Sequence, residues 1–260
     1  MKKKLSNSEL KDFLEEKYHL YNRKDFISSD PISIPHQFST QEDIEIAGFL
    51  AATIAWGQRT TILKNAGDIL KKMDFAPHQF VLNFKKNDLA VFDGFVHRTF
   101  NQEDLKVFLF SLQRIFRKYG TLENLLRQFL NSDDIDLSTS ISKWRTEFFK
   151  IDHNPRTLKH FSDPLNGSAT KRINMFLRWM VRKDEYGVDF GLWKSISSEI
   201  LTCPLDVHSG RVARKLGLLK RTQDDWKAAA ELTKKLKTFD PSDPVKYDFA
   251  LFGLGVFEKF

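Results

Sequence analysis

The chain predicts an all-α protein, and three observations carry that expectation. Apolar residues recur at three- and four-residue spacing along most of its 260 positions. Serine, threonine, aspartate or asparagine stands ahead of many of these runs, with glycine or proline close behind. No stretch alternates apolar and polar residues over the length of a convincing strand. Hydrophobic residues at 41%, with 24 phenylalanines, can build one large core or two smaller ones and outweigh the 29% charged fraction.

Taken in order, Ser39 followed by Glu42 reads as a capping box for a helix carrying Ile44, Ala47, Phe49, Leu50, Ala51 and Ile54, stopping near Gly57. A second helix is expected from Thr61 to Met73, and Pro77 opens a short one through Phe84. Asn101 caps a helix that places Leu105, Phe108, Leu109, Leu112, Ile115 and Phe116 on one face. Gly120 and Thr121 separate it from the next, which runs through Leu130. Asn131 to Asp136 is a polar loop, after which Ile141, Trp144, Phe148 and Phe149 mark a helix ending before Asn154-Pro155. Ser168 is placed to cap a helix with Ile173, Met175, Phe176, Trp179 and Met180, broken by Gly187 to Gly191. Asp206 caps a helix through Leu216 that stops at Gly217. Two more follow, near Asp224 to Leu236 and from Asp243-Pro244 to about Leu254.

Composition narrows the class of function. The lone Cys203 cannot form an internal disulfide and excludes a four-cysteine zinc or iron–sulfur site, which points to a reducing compartment. The basic start Met1 to Lys4 is followed by polar residues rather than a signal-like apolar run, and no apolar stretch has membrane-spanning length. A cytoplasmic protein with no membrane partner is expected. The net charge of +7 favours a polyanionic partner.

Two segments carry the candidate chemistry. In Leu165-Asn166-Gly167-Ser168-Ala169-Thr170-Lys171, a lysine stands near a helix start, where the positive end of the macrodipole disfavours its ammonium form and makes its amine a usable nucleophile. The turn before it offers backbone amides to a phosphate, Gly167 permitting close approach. The plainer alternative is that Lys171 is a solvated member of the basic pair with Arg172. Asp206 likewise has an ordinary reading as a helix cap.

Taken together, the segments resemble the helix-hairpin-helix DNA glycosylase superfamily. Asp206, His208, Arg211, Val212, Leu216 and Gly217 fall at the offsets of its D-x-H-x-x-R-V-x-x-x-L-G run. Leu165, Gly167 and Lys171 match its L-P-G-x-G-x-K hairpin, which Asn166 and Ala169 depart from. The resemblance implies a two-lobed fold, with a middle lobe over 36–185 and a second lobe from 1–35 plus 186–260. It further implies catalysis by Lys171 and Asp206, with Gly167, Ser168, Ala169, Gln58, Arg59, Arg172, His208 and Arg211 contacting DNA. Gln58 stands where the superfamily fills the gap left by a flipped base, or else is a polar surface junction. Arg156, Lys159, His160, Arg178 and Arg182 add charge around the hairpin in the same reading. Lys171 and Asp206 stand 35 positions apart, a longer spacing that resembles the archaeal-type 8-oxoguanine glycosylase branch.

Over nearly its whole length the chain is closer to a bacterial family without an assigned activity that shares KRINMFLRWMVR, PLDVHSGRVARKLGLL and DPVKYDFALFGLGVF. Within the last of these, Tyr247 reads as core, with stacking on a flipped base as the alternative. The expectation is a monomeric glycosylase with β-lyase activity on duplex DNA carrying an oxidised purine such as 8-oxoguanine. It needs no cofactor, and at most an alkali ion at the hairpin. The alternatives are a non-catalytic nucleic-acid-binding module and a helical interaction protein.

Overall fold

Capping chemistry sets most helix boundaries in the computed structural model, which describes residues 5–260. α1 (Asn7–Tyr21) begins in a capping box: Ser6 Oγ accepts from the Glu9 amide while Glu9 accepts from the Ser6 amide at 2.8 Å. This helix and α2 (Lys24–Ser29) lie ahead of the first one expected from the sequence. α3 (Gln41–Thr53) starts one residue later than expected, because the hydroxyl of Thr40, not that of Ser39, accepts from the Asp43 amide. α4 (Arg59–Lys71) and α5 (Pro77–Asn83) follow. A two-residue antiparallel pair, β1 (Val96–His97) and β2 (Phe100–Asn101), precedes α6 (Gln102–Tyr119).

Asn101 caps α6 and Thr121 caps α7 (Leu122–Arg127), as their residue types predict. α8 (Ser138–Phe148) and α9 (Lys171–Val181) come next, and α9 is preceded by Thr170 rather than capped by Ser168. α10 (Val207–Lys215) is capped by Asp206. α11 (Trp226–Lys237) is capped by Asp225, and α12 (Tyr247–Val256) continues from a short turn of tighter helix at Pro244–Lys246. The chain is therefore mostly helical. Among the described residues, no helix is long and apolar enough to cross a membrane.

The contacts divide the chain into two units, one of 27–134 with 138–163 and one of the two ends, 1–26 and 164–260, with 135–137. Residues 164–185, expected with the middle of the chain, fall with the ends. Their partners explain this: Gly167 accepts a backbone bond from Trp226, Lys171 pairs with Asp206, and Arg178 pairs with Asp248.

The 27–163 unit is built round an aromatic cluster. Phe49 of α3 lies 5.4 to 6.0 Å, ring centre to ring centre, from Phe108, Trp144, Phe148 and Phe161, and all five are buried. Its buried carboxylates act as ties. Asp104 accepts from Thr157 at 2.7 Å and Arg156 at 2.9 Å, and Glu45 accepts from the Leu122 amide at 2.6 Å, so a side chain of α3 holds the start of α7.

In the unit made by the ends, α12 packs against α1 and α10. The α1 crossing is close because Gly253 has no side chain, and a Cβ there would overlap the Tyr21 ring. Gly253→Ala should accordingly lower the unfolding free energy by about 1–3 kcal/mol. Gly67→Ala in α4, where an added Cβ meets open space, should raise it by about 0.5–1 kcal/mol. Urea denaturation of the two variants checks this, and an unaffected Gly253→Ala midpoint would contradict the packing.

Candidate active site

The approach to α9 is an irregular turn that its own side chains hold together. Gly167 takes a left-handed φ of +83°, donates its N–H to the Pro164 carbonyl at 2.9 Å and accepts from the Trp226 amide at 3.0 Å. Ser168 pairs in antiparallel fashion with Asp225, and its Oγ accepts from the Thr170 amide at 3.2 Å. Thr170 returns a bond from its hydroxyl to the Ser168 carbonyl at 2.9 Å. These bonds keep Thr170 at φ 51°, a conformation costing a non-glycine residue about 1–2 kcal/mol. The strained residue is the one immediately before Lys171.

Lys171 is the first residue of α9, and its half-buried Nζ lies 3.1 Å from Asp206 Oδ2. Asp206 divides its two oxygens. Oδ1 accepts from the amides of His208 at 2.9 Å and Ser209 at 3.0 Å, which caps α10, while Oδ2 faces the lysine. Ser209 completes a capping box by accepting from the Asp206 amide at 2.9 Å. Burial alone would push the Asp206 carboxyl up, but the Lys171 charge and the two amide bonds outweigh it and hold the group below its ordinary range. Two helix N-termini thus bring an amine and an ionised carboxylate together.

Behind this pair, α9 presents charge inward. Arg178, two helical turns along the face that carries Lys171, and Arg182, which follows the last residue of α9 on the same face, are both buried. Asp189 bridges them, Oδ1 to Arg178 Nε at 3.3 Å and Oδ2 to Arg182 Nη1 at 3.0 Å. Arg182 also pairs with Asp184 at 2.6 Å and Asp243 at 2.8 Å and donates to the Tyr18 hydroxyl at 2.8 Å. Arg178 Nη1 pairs with Asp248. Neither arginine is a surface charge beside the hairpin, because each is committed to carboxylates in the core.

The other expected contact residues divide into several environments. Gly167 and Ser168 use an amide and a hydroxyl within the turn, and Ala169 is nearly buried. Arg172 is half-buried, and desolvation pushes its guanidinium down to about 10, which leaves it charged at neutral pH. His208 and Arg211 are exposed, Arg211 donating to the Gly255 carbonyl at 3.2 Å. Gln58 is exposed at the start of α4 and Arg59 is half-buried beside it, both in the 27–163 unit. Arg156 and the buried His160 in that unit surround Asp104, while Lys159 is exposed. Tyr247 is fully buried and donates to Glu15 at 2.6 Å, so it is core and not a stacking surface.

Asp189 and Asp248 were not singled out from the sequence. The signal for them was Arg178 and Arg182, four apart inside the apolar run of KRINMFLRWMVR, where a buried cation requires a partner from elsewhere. Among the described residues, no group of three or more histidine, cysteine, aspartate or glutamate side chains is arranged to hold a metal ion.

A family model described as "Protein of unknown function (DUF2400)" matches residues 30–257. No curated protein and no solved structure matches the chain.

The two roles of Asp206 separate by substitution. Asp206→Ala removes cap and ion pair and should cost about 1–2 kcal/mol, whereas Asp206→Asn keeps a capping oxygen and should cost less. The native carboxyl titrates lower than in the unfolded chain, so its contribution is complete above the unfolded value of about 3.9 and is lost as pH falls through the native one. The stability difference between wild type and Asp206→Asn, followed by denaturation from neutral to acid pH, should therefore shrink on acidification. A gap that widens in acid would reverse the assignment.

Proposed function

The chain belongs to the DUF2400 family, and we propose that it is a DNA base-excision glycosylase with associated β-lyase activity. The observation that carries this reading is the 3.1 Å pairing of Lys171 Nζ with Asp206 Oδ2 at the starts of two helices, behind the Gly167 turn. A damaged base, an oxidised purine such as 8-oxoguanine by the motif resemblance, is turned out of the duplex. The Lys171 amine, once free of its proton, attacks the sugar C1′ as the bond from C1′ to the base breaks, and the base leaves with a proton. The Asp206 carboxylate accepts the amine proton and stabilises positive charge on the sugar. The ring then opens at C1′–O4′, O4′ taking a proton, and the Schiff base so formed makes the C2′ proton acidic. Its removal expels the 3′ phosphate, which cuts the strand.

The positive excess of +7 supports a polyanionic partner, and affinity for duplex DNA should fall steeply with added salt as counterions are released. Exposed Arg211 and half-buried Arg172 are the cations nearest in sequence to the pair, and His208 is exposed beside them. Cytoplasmic placement and a monomeric state belong to the same reading.

Borohydride reduces a Schiff base to a stable amine, so a screen of duplexes bearing different lesions should capture a covalent protein–DNA species. Lys171→Gln should abolish capture while leaving DNA affinity within a few-fold, since one charge among many is lost. Asp206→Asn should slow base release by about 100-fold or more, the scale expected when a charge that stabilises the transition state is removed. Capture that persists without Lys171 would refute the assigned nucleophile. Salt-dependent binding with no capture on any lesion would leave a non-catalytic nucleic-acid-binding module.

A further inference from the structure

The ion pairs around α9 do not balance. Lys171, Arg178 and Arg182 supply three cations to five carboxylates, those of Asp184, Asp189, Asp206, Asp243 and Asp248. Three of the five are well compensated. Asp189 holds both arginines, and Asp206 has Lys171 and two backbone amides. Asp184 adds Asn22, Tyr18 and two amides to its ion pair, whereas burial holds Asp243 above its ordinary range although both its oxygens meet Arg182 Nε, and this residue lies by Arg182 at the far end of α9 from Lys171. Asp248 has one cationic partner, Arg178, which it shares with Asp189. It is 7% exposed, so water does little to compensate.

Asp248 is also the member electrostatically joined to the candidate site. It stands in the first turn of α12 and pairs with Arg178, two helical turns from Lys171 on one face of α9. Arg178 meets it from α9, and the charges that act on it besides are those of Lys171 on the same helix, Asp189 in the loop after it and Asp206 at the start of α10, with the Cys203 thiol coupled to it in turn. The α1 charges near α12 are paired elsewhere, Glu15 with Lys246 and Lys17 with Glu258.

We propose that Asp248 is a third, positioning member of the Lys171–Asp206 site, a carboxyl whose protonation state sets how readily the Lys171 amine gives up its proton and attacks. Burial pushes this carboxyl up to about 6, the pull of Arg178 and Lys171 being too weak to offset it, and Asp206 and Asp189 reinforce the rise. When ionised, Asp248 adds negative potential that holds the lysine as an ammonium. When protonated, it withdraws that potential and the amine is more easily freed. The coupling is reciprocal: the charge on Lys171 favours ionised Asp248 to the same extent. This rests on the proposed function only in taking Lys171 as the reacting amine.

The test uses the full chain and no DNA. Lys171 is labelled with limiting formaldehyde and cyanoborohydride from about pH 5 to about pH 9, and its rate is read by peptide mass spectrometry against exposed Lys11. Asp248→Asn, which keeps an acceptor for Arg178, should label Lys171 several-fold faster at neutral pH and lose the inflection that Asp248 imposes on the wild-type profile. Superimposable wild-type and variant profiles would overturn the proposal. Should Asp248→Asn not fold, carboxyl-carbon NMR of Asp248 decides in its place. Lys171→Gln should move its titration to higher pH, and an unmoved titration is equally fatal. Failed lesion trapping with altered labelling removes the glycosylase reading alone, and successful trapping with unaltered labelling removes this one alone.

Discussion

Arg178 and Arg182 are the constraint on which the end-built unit depends. A guanidinium withdrawn from water is tolerable only where carboxylates and hydroxyls meet it at hydrogen-bond distance, and α9 buries two of them. Their partners come from α1 through Tyr18, from the loop after α9 through Asp184 and Asp189, from the turn before α12 through Asp243, and from α12 through Asp248. Satisfying the two arginines therefore places those segments around one helix. Lys171 is the first residue of that helix, so the network that settles α9 also settles where the candidate nucleophile stands.

Much of this was legible in the chain, and what was missed has a common cause. Asn101 and Asp206 were readable as caps because each acts on amides two or three residues away, and Thr121, read only as a helix junction, caps α7 in the same way. The box at Ser6 and Glu9 was equally local but was read only as polar sequence following the basic start. Ser39 and Ser168 were chosen by residue type where Thr40 and Thr170 hold the positions, since only backbone geometry distinguishes neighbouring hydroxyls. The meeting of Lys171 with Asp206 was expected from motif resemblance, while the environment of Arg178 and Arg182 was read as surface. Sequence spacing says which residues share a helical face but not which face is covered, and Asp248 lies 70 positions from its arginine.

The site joins fold and chemistry in one side chain. Asp206 holds α10 with one oxygen and Lys171 with the other, so the carboxylate that the proposed reaction needs is fixed by the helix it caps. Glutamate would move both oxygens outward by a methylene and asparagine would replace one oxygen with a donor. The site thus uses the short reach of aspartate together with its charge.

The packing of α1 on α12 has a consequence for the order in which the protein is made. Leu10, Leu14 and Tyr18 belong to a core whose other wall lies more than two hundred residues later, and Gly253 must arrive before the Tyr21 ring has its seat. On the ribosome the contacts within 27–163 become possible while the end-built unit still lacks its closing helix. α1 therefore precedes the 27–163 unit in synthesis yet is buried only after α12 has followed. The ion-pair network behind Lys171 likewise comes together only when Asp248 has been translated.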